Sequence, residues 1–281
     1  TREYAAMYDP EDIPEYGNFR EDFSTKPEYY RHDPNKPISN EDGLLIQPNP
    51  LNWGEWQHII ARAFAHITMI DDAAGMILNK LEELGLAENT LVMWTGDHGD
   101  ALASHGGHFD KGSYMTEEVI RVPLAIRWPG HIEPGQVRDE FVSGIDIAPT
   151  ILDAAGTGFT NPVDGTSFLP LFQEPAPKWR EDLLVETYGH GFGTREIGRL
   201  VLWKDYKYVH FQKYGPELYD LQADPYELHN IINHPDLQDT VRELSGRLQR
   251  LLDETGDKDF DKPISEEFIQ DDEASLHELF V

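Results

Sequence analysis

The stretch from Thr90 to Gly112, TLVMWTGDHGDALASHGGHFDKG, constrains this chain more than any other. Leu91 to Thr95 is a short apolar run, suited to a strand covered on both faces. It breaks directly into Gly96-Asp97-His98-Gly99-Asp100, where glycines let the backbone turn sharply and come close to a ligand. Open α/β sheets place their sites at strand ends of this kind. Upstream, Trp53 to Gly85 carries Ile60, Phe64, Ile67, Ile70, Ala74, Ile77, Leu81 and Leu84 at three-and-four spacing, which predicts a long helix stopped at Gly85.

The rest of the chain follows from the same reading. Val122 to Arg127 is a second apolar strand, closed by Trp128-Pro129-Gly130, and Ser143 to Gly156 reads as a short helix. After a Pro/Gly-rich stretch, Leu183–Thr187, Arg199–Trp203, Tyr206–Phe211 and Glu217–Leu221 are short strands separated by turn signals, expected to be antiparallel. A helix is expected at 235–254, with Leu244, Leu248 and Leu251 on one face, before an acidic tail. Residues 1–50 are rich in Pro, Asp, Glu and Tyr without sustained periodicity. They read as an irregular surface excursion held by its aromatics, from the middle of a longer chain. The expected organisation is an α/β domain over 1–156, a linker over 157–182, and an antiparallel subdomain with terminal helix and tail over 183–281.

Charge narrows the chemistry. With 52 Asp and Glu against 23 Lys and Arg, the formal net charge is −29, a poor match for nucleic acid or an anionic membrane surface. No apolar run is long enough to span a bilayer. There is no cysteine, hence no disulfide frame, thiolate zinc site or Cys nucleophile. An anion site on such a chain has to be local, built from a cation and a few basic side chains. One loop concentrates the candidates: Asp97, His98, Asp100, His105, His108, Asp110 and Lys111. Adjacent carboxylate and imidazole at Asp97 and His98 suit a divalent cation. Lys111 returns a positive charge that can bind an anion or stabilise developing negative charge. His105 and His108 either reach substrate or ride the loop as solvated side chains. Asp100, Asp110, Glu117 and Glu118 are expected to brace the loop, with Arg121 as their ion-pair partner. His190, in TYGHGFG, either projects into the pocket to select substrate or belongs to a flexible loop. Residue chemistry alone indicates metal-assisted chemistry on an anion.

The whole string is more specific. IDDAAGMILNKLEELGLAENTLVMWTGDHGDALASHGGHFDKGSYMTEEVIRVPLAIRWPG, residues 70–130, closely resembles type I sulfatases of the alkaline phosphatase superfamily. There a helix with Ile-Asp-Asp leads to a strand, an Asp-His-Gly or Asp-Asn-Gly turn, a Lys-Gly, and then Glu-Glu-x-x-Arg-Val-Pro-Leu. The likeness continues in order through DIAPTILDAAG, DGTSFLPLF and KYVHFQKYGPELYDLQADPYELHNI. It implies an α/β sandwich, this chain supplying the second half of a mostly parallel central sheet and a small antiparallel C-terminal subdomain. It implies Asp97 and His98 as metal positions, for an ion that is usually calcium, and Lys111 as a catalytic contact to the sulfate or ester oxygens. A nitrogen ligand suits calcium poorly, which makes His98 also a candidate contact to substrate or nucleophile. His108 and His190 complete the candidate substrate contacts.

The family nucleophile is a formylglycine made from Cys or Ser in a Cys-x-Pro-x-Arg motif. This chain has no Cys and no Ser-x-Pro-x-Arg. The resemblance places the nucleophile, with further metal and sulfate ligands, upstream of where Thr1 aligns. The expected partners are a sulfated small molecule or glycan, and the N-terminal half of the same enzyme or a second copy against the uncovered face. A phosphonate or phosphate ester hydrolase of the same superfamily, and a non-catalytic anion-binding pseudo-enzyme, are the alternative readings. The compartment is not legible.

Overall fold

Two antiparallel sheets and one long helix organise the computed structural model, which describes residues 2–31, 52–112, 114–189, 196–258 and 260. A one-turn helix α1 (Arg2–Ala5) precedes the long helix α2 (Trp53–Glu83). Helix α2 opens on a capping box. The Asn52 side chain accepts from the Glu55 N–H, and the Glu55 carboxylate accepts from the Asn52 N–H. Two donors that a helix start leaves open are thereby satisfied. Only the first part of α2 is covered: Trp56, Ile60, Ala61 and Ala65 are buried, clustering with Ile13 and Ala103. Beyond Ala65 the apolar stripe faces outward, with Ile67, Ile70, Met76, Ile77 and Leu84 between 43% and 72% exposed. No helix among the described residues is long and apolar enough to cross a membrane.

Strands β1 (Val92–Thr95) and β2 (Leu124–Arg127) pair antiparallel, Val92 opposite Arg127 and Thr95 opposite Leu124. Between them run the short helical turns α3 (Ser104–Gly107) and α4 (Glu117–Ile120). Burial on both faces, expected from the apolar runs, is not observed: Trp94 is 44% and Leu124 40% exposed. The runs mark a surface that needs covering, and no element among the described residues covers it.

After helix α5 (Ile147–Ala154) come β3 (Asp182–Thr187), β4 (Gly198–Trp203), β5 (Tyr206–Phe211) and β6 (Gly215–Asp220), hydrogen-bonded in that order into one antiparallel sheet. The two-residue alternation of β-strands sorts its side chains. Val201, Tyr208 and Leu218 cluster with Leu244, Leu248 and Leu252 of the C-terminal helix α6 (Gln238–Thr255). Leu200, Val209 and Phe211 face the other way, onto Tyr29, Tyr30, Tyr114 and Met115. Part of the described segment before α2 is therefore core: Tyr29 and Tyr30 are each 3% exposed, while most of residues 2–28 lie at the surface. Of the aromatic rings expected to anchor this segment, Tyr29 and Tyr30 pack on the four-stranded sheet with Phe23 beside them, and Tyr8, Tyr16 and Phe19 pack on the start of α2.

Candidate cation and anion site at the end of strand β1

At Thr95 the chain leaves β1 and turns through Gly96, Asp97, His98 and Gly99. The Gly99 N–H donates to the Val119 carbonyl at 2.8 Å, and a Cβ on Gly99 would stand 1.8 Å from the Glu118 carbonyl oxygen. Only glycine allows this approach, and it pins the turn against α4. Gly99→Ala is expected to push the two apart and destabilise the fold by about 1–3 kcal/mol. A urea midpoint equal to the wild type would show that the turn yields without cost.

The turn brings three expected site residues together. Lys111 Nζ lies 2.9 Å from His98 Nε2, and Asp97 Oδ2 lies 3.6 Å from the same nitrogen. His98 Nδ1 sits 2.7 Å from the Gly99 carbonyl, which can only accept. That contact assigns the ring proton to Nδ1 and leaves the Nε2 lone pair for the Lys111 ammonium. The Asp97 side chain is 89% exposed. Its carboxyl is held below the usual range by its own backbone N–H, then by that of His98, with the charge of Lys111 adding. A carboxylate, an imidazole lone pair and an ammonium thus share one turn. Asp97 and His98 fit one side of a divalent-cation shell. Calcium takes six to eight ligands, so the rest would come from other residues.

The other histidines lie elsewhere. His108 is 4% exposed, stacked on Tyr114 with ring centroids 4.2 Å apart, and its Nε2 donates to the Tyr30 carbonyl at 3.1 Å. Burial pushes its pKa down to about 3, and it is neutral. It packs in the aromatic core, neither solvated nor on the turn with Asp97. His105 is 1% exposed. His190 lies outside the described residues. The bracing carboxylates have partners of their own. Asp100 Oδ1 accepts from the Leu102 and Asp110 N–H groups, Glu118 bonds Asn18 and His105, and Glu117 pairs with Lys207 in place of Arg121.

Behind the turn lies a buried ionic network that the sequence pattern did not reveal. Lys26 pairs with Glu21 at 2.8 Å, both side chains almost fully buried, and Lys207 pairs with Glu227 and Glu117. His105, Glu118 and Glu227 bring donor atoms within 4.8 Å of one another, an arrangement able to hold a cation. Here Lys26 and Lys207 already set ammonium groups against the carboxylates of this network. Glu21 and Lys26 fall in a stretch without periodicity, and nothing local announces partners so distant in sequence.

Glu217, fully buried at the far side of the network, accepts from the Tyr219 and Tyr29 hydroxyls at 2.5 and 3.3 Å. Burial outweighs these bonds and pushes its pKa from 4.5 up to about 7. The folded state then holds a proton that the unfolded state has released, so this group lowers stability as pH rises from about 4.5 to about 7. Glu217→Gln is expected to flatten the fall of stability between pH 5 and pH 8, measured by urea unfolding. An unchanged slope would place the proton on another group.

The layered α/β fold with its antiparallel C-terminal subdomain is that of the alkaline phosphatase and sulfatase hydrolases. A structure solved in complex with its substrate D-glucosamine-2-N,6-O-disulfate superposes with a TM-score of 0.79 at 24% identity, covering 90% of this chain and 62% of that one. The phosphonate monoester hydrolase of Agrobacterium radiobacter gives 0.77 at 25% identity, covering 89% and 53%.

By sequence, the N-acetylglucosamine-6-O-sulfatase of Bacteroides thetaiotaomicron is 31% identical over 221 residues, 75% of this chain and 38% of that protein. The arylsulfatase of Clostridium perfringens is 32% identical over 262 residues, 89% and 51% respectively. The Sulfatase family matches residues 6–157, and the family described as N-sulphoglucosamine sulphohydrolase, C-terminal, matches 104–254. The chain belongs to the sulfatase family of hydrolases. It spans 38% and 51% of the lengths of these two relatives.

Proposed function

We propose that this chain is the C-terminal part of a sulfuric ester hydrolase and carries one side of its cation and sulfate site. The supporting observation is the convergence of Lys111, His98 and Asp97 on one turn, within the residues matched by the sulfatase family. Asp97 would lend its exposed carboxylate, and His98 its Nε2, to a divalent cation, and calcium is the ion proposed. When bound, that cation supplies charge stabilisation to an anionic substrate. Lys111 would give up its contact to His98 Nε2 when the cation takes that lone pair, and would turn its ammonium protons to the sulfate or ester oxygen, where negative charge develops. The proposed nucleophile is a formylglycine from outside these 281 residues, which contain no cysteine.

The substrate class proposed is a sulfated sugar, since relatives include an N-acetylglucosamine-6-O-sulfatase and an ulvan-active sulfatase. His190 is the proposed substrate selector, and 1–156, 157–182 and 183–281 the proposed domain, linker and subdomain. The exposed apolar residues of α2, with Trp94 and Leu124, form the face on which the rest of the enzyme, or a second copy, would lie.

The full-length enzyme is expected to bind calcium and inorganic sulfate, with Asp97→Asn abolishing the calcium titration, and the purified chain to leave an aryl sulfate intact. Turnover by the chain alone would overturn the placement of the nucleophile, and absence of both ligands would overturn the site. A second reading, a phosphonate ester hydrolase, draws on the Agrobacterium neighbour and on a 33% identical multifunctional alkaline phosphatase superfamily protein of Trinickia caryophylli. Relative kcat/KM of the full-length enzyme on aryl sulfate and aryl phosphonate separates the two.

A further inference from the structure

His105 sits midway along the loop that joins Asp97 and His98 to Lys111, and its ring is fully enclosed between two carboxylates. Its Nδ1 lies 2.8 Å from Glu21 Oε2 and its Nε2 lies 3.0 Å from Glu118 Oε2. The remaining oxygen of each carboxylate faces a partner, an ion pair without a hydrogen bond at Glu21 Oε1 and a hydrogen bond at Glu118 Oε1. Lys26 Nζ stands 2.8 Å from Glu21 Oε1, and Asn18 Nδ2 donates to Glu118 Oε1 at 2.8 Å. An imidazole nitrogen and a carboxylate oxygen this close must share a proton, because two lone pairs would repel. Two such contacts on one ring call for two ring protons. Lys26 Nζ and Asn18 Nδ2 also approach the ring, at 3.1 Å from Nδ1 and 3.3 Å from Nε2, but both have a carboxylate oxygen at shorter range.

We propose that His105, as an imidazolium bridging Glu21 and Glu118, is the positioning residue that fastens the Asp97–Lys111 loop to the N-terminal segment and to α4. The loop's role rests on the function proposed above; the clamp itself rests on geometry alone. The loop has reason to need fastening. Leu102, Ala103, His105 and Asp110 all have φ between 36° and 80°, a left-handed region that residues with a side chain disfavour. Backbone held this way persists where its surroundings over-determine it.

The groups facing the ring come from each neighbouring element. Glu21 and Lys26 belong to the N-terminal segment, Glu118 to α4, Glu227 to the turn after β6, and His108 to the loop itself. Burial opposes the charge on His105 and so does Lys26, yet the hydrogen bonds to Glu118 and Glu21 prevail and the pKa is raised above 6.5. The clamp is therefore complete below the ordinary imidazole range and is lost as pH rises toward and through the raised folded value. The loop carrying Lys111 should loosen on the alkaline side.

The test uses the 281-residue chain, with ring-nitrogen NMR of its histidines and amide exchange of residues 99–111 corrected for intrinsic rate. Both nitrogens of His105 are expected to be protonated at pH 6.5. Loop exchange should accelerate about tenfold per pH unit between about pH 6.5 and the His105 midpoint, then level off. H105Q should remove that pH dependence and weaken sulfate binding. E21Q, which keeps the shape and drops one charge, should lower the His105 midpoint by about one unit or more and serves if H105Q does not fold. A singly protonated ring beside a protonated Glu21, or the same exchange profile in H105Q as in wild type, would overturn the clamp. If calcium and sulfate fail to bind the full-length enzyme at pH 6.5 while the loop still follows His105, the clamp stands and the functional reading falls. If both bind and the loop ignores His105, the clamp falls alone.

Discussion

Lys207→Met is expected to destabilise the fold by about 3–5 kcal/mol, because it strands a buried carboxylate. The Lys207 side chain is 1% exposed and pairs with Glu227, itself 2% exposed, and with Glu117 at 3.3 Å. Glu227 also accepts the Glu117 N–H at 2.7 Å, so it cannot swing out without breaking the start of α4. Methionine matches the length of the lysine stem and adds apolar contact, but that gain is small beside the cost of a desolvated, unpaired charge. Urea unfolding followed by tryptophan fluorescence measures the loss. The double variant Lys207→Met with Glu227→Gln should recover much of it, since the stranded charge has been removed. A single-variant loss below about 1 kcal/mol would mean that Glu227 finds water or a proton, and that the network is not sealed.

Lys111→Ala in the full-length enzyme is expected to lower kcat/KM for a sulfate ester by about 10²- to 10³-fold, the usual range for one electrostatic stabiliser. Stability should barely change, because Lys111 is bound to the exposed turn through His98 and, among the described residues, through no buried ion pair. How the loss divides is informative. A fall in kcat marks a charge that the lysine meets in the transition state, and a rise in KM alone marks ground-state binding. Unchanged kcat/KM with calcium bound would remove Lys111 from the chemistry and leave it as a partner of His98.

Much of the site was legible because its parts are local. Asp97, His98 and Lys111 lie within fifteen residues, and an apolar strand breaking into glycines announces the turn. The four C-terminal strands and α6 were legible for a similar reason, since their two- and three-to-four-residue periods run without interruption between clear turn signals. Periodicity could not say what lies opposite. Helix α2 has one apolar stripe from end to end, yet the structure buries Trp56 and Ile60 and exposes Met76 and Ile77. His105 and His108 share a glycine-rich loop and looked alike. One is charged between carboxylates and the other neutral among aromatic rings, because residues 18–30 fold over the loop from some 80 positions away. No local pattern encodes that approach.

The exposed stretch of α2 is apolar surface carried on backbone that is already helical. Its capping box fixes the start, and the helix continues unbroken for 31 residues, about 46 Å at 1.5 Å per residue. Whatever packs on Ile67, Ile70, Met76 and Ile77 meets a rail of side chains at helical intervals. Little ordering entropy is left to spend on this side of the contact. Assembly against that rail would be limited by how fast the incoming surface takes its own shape.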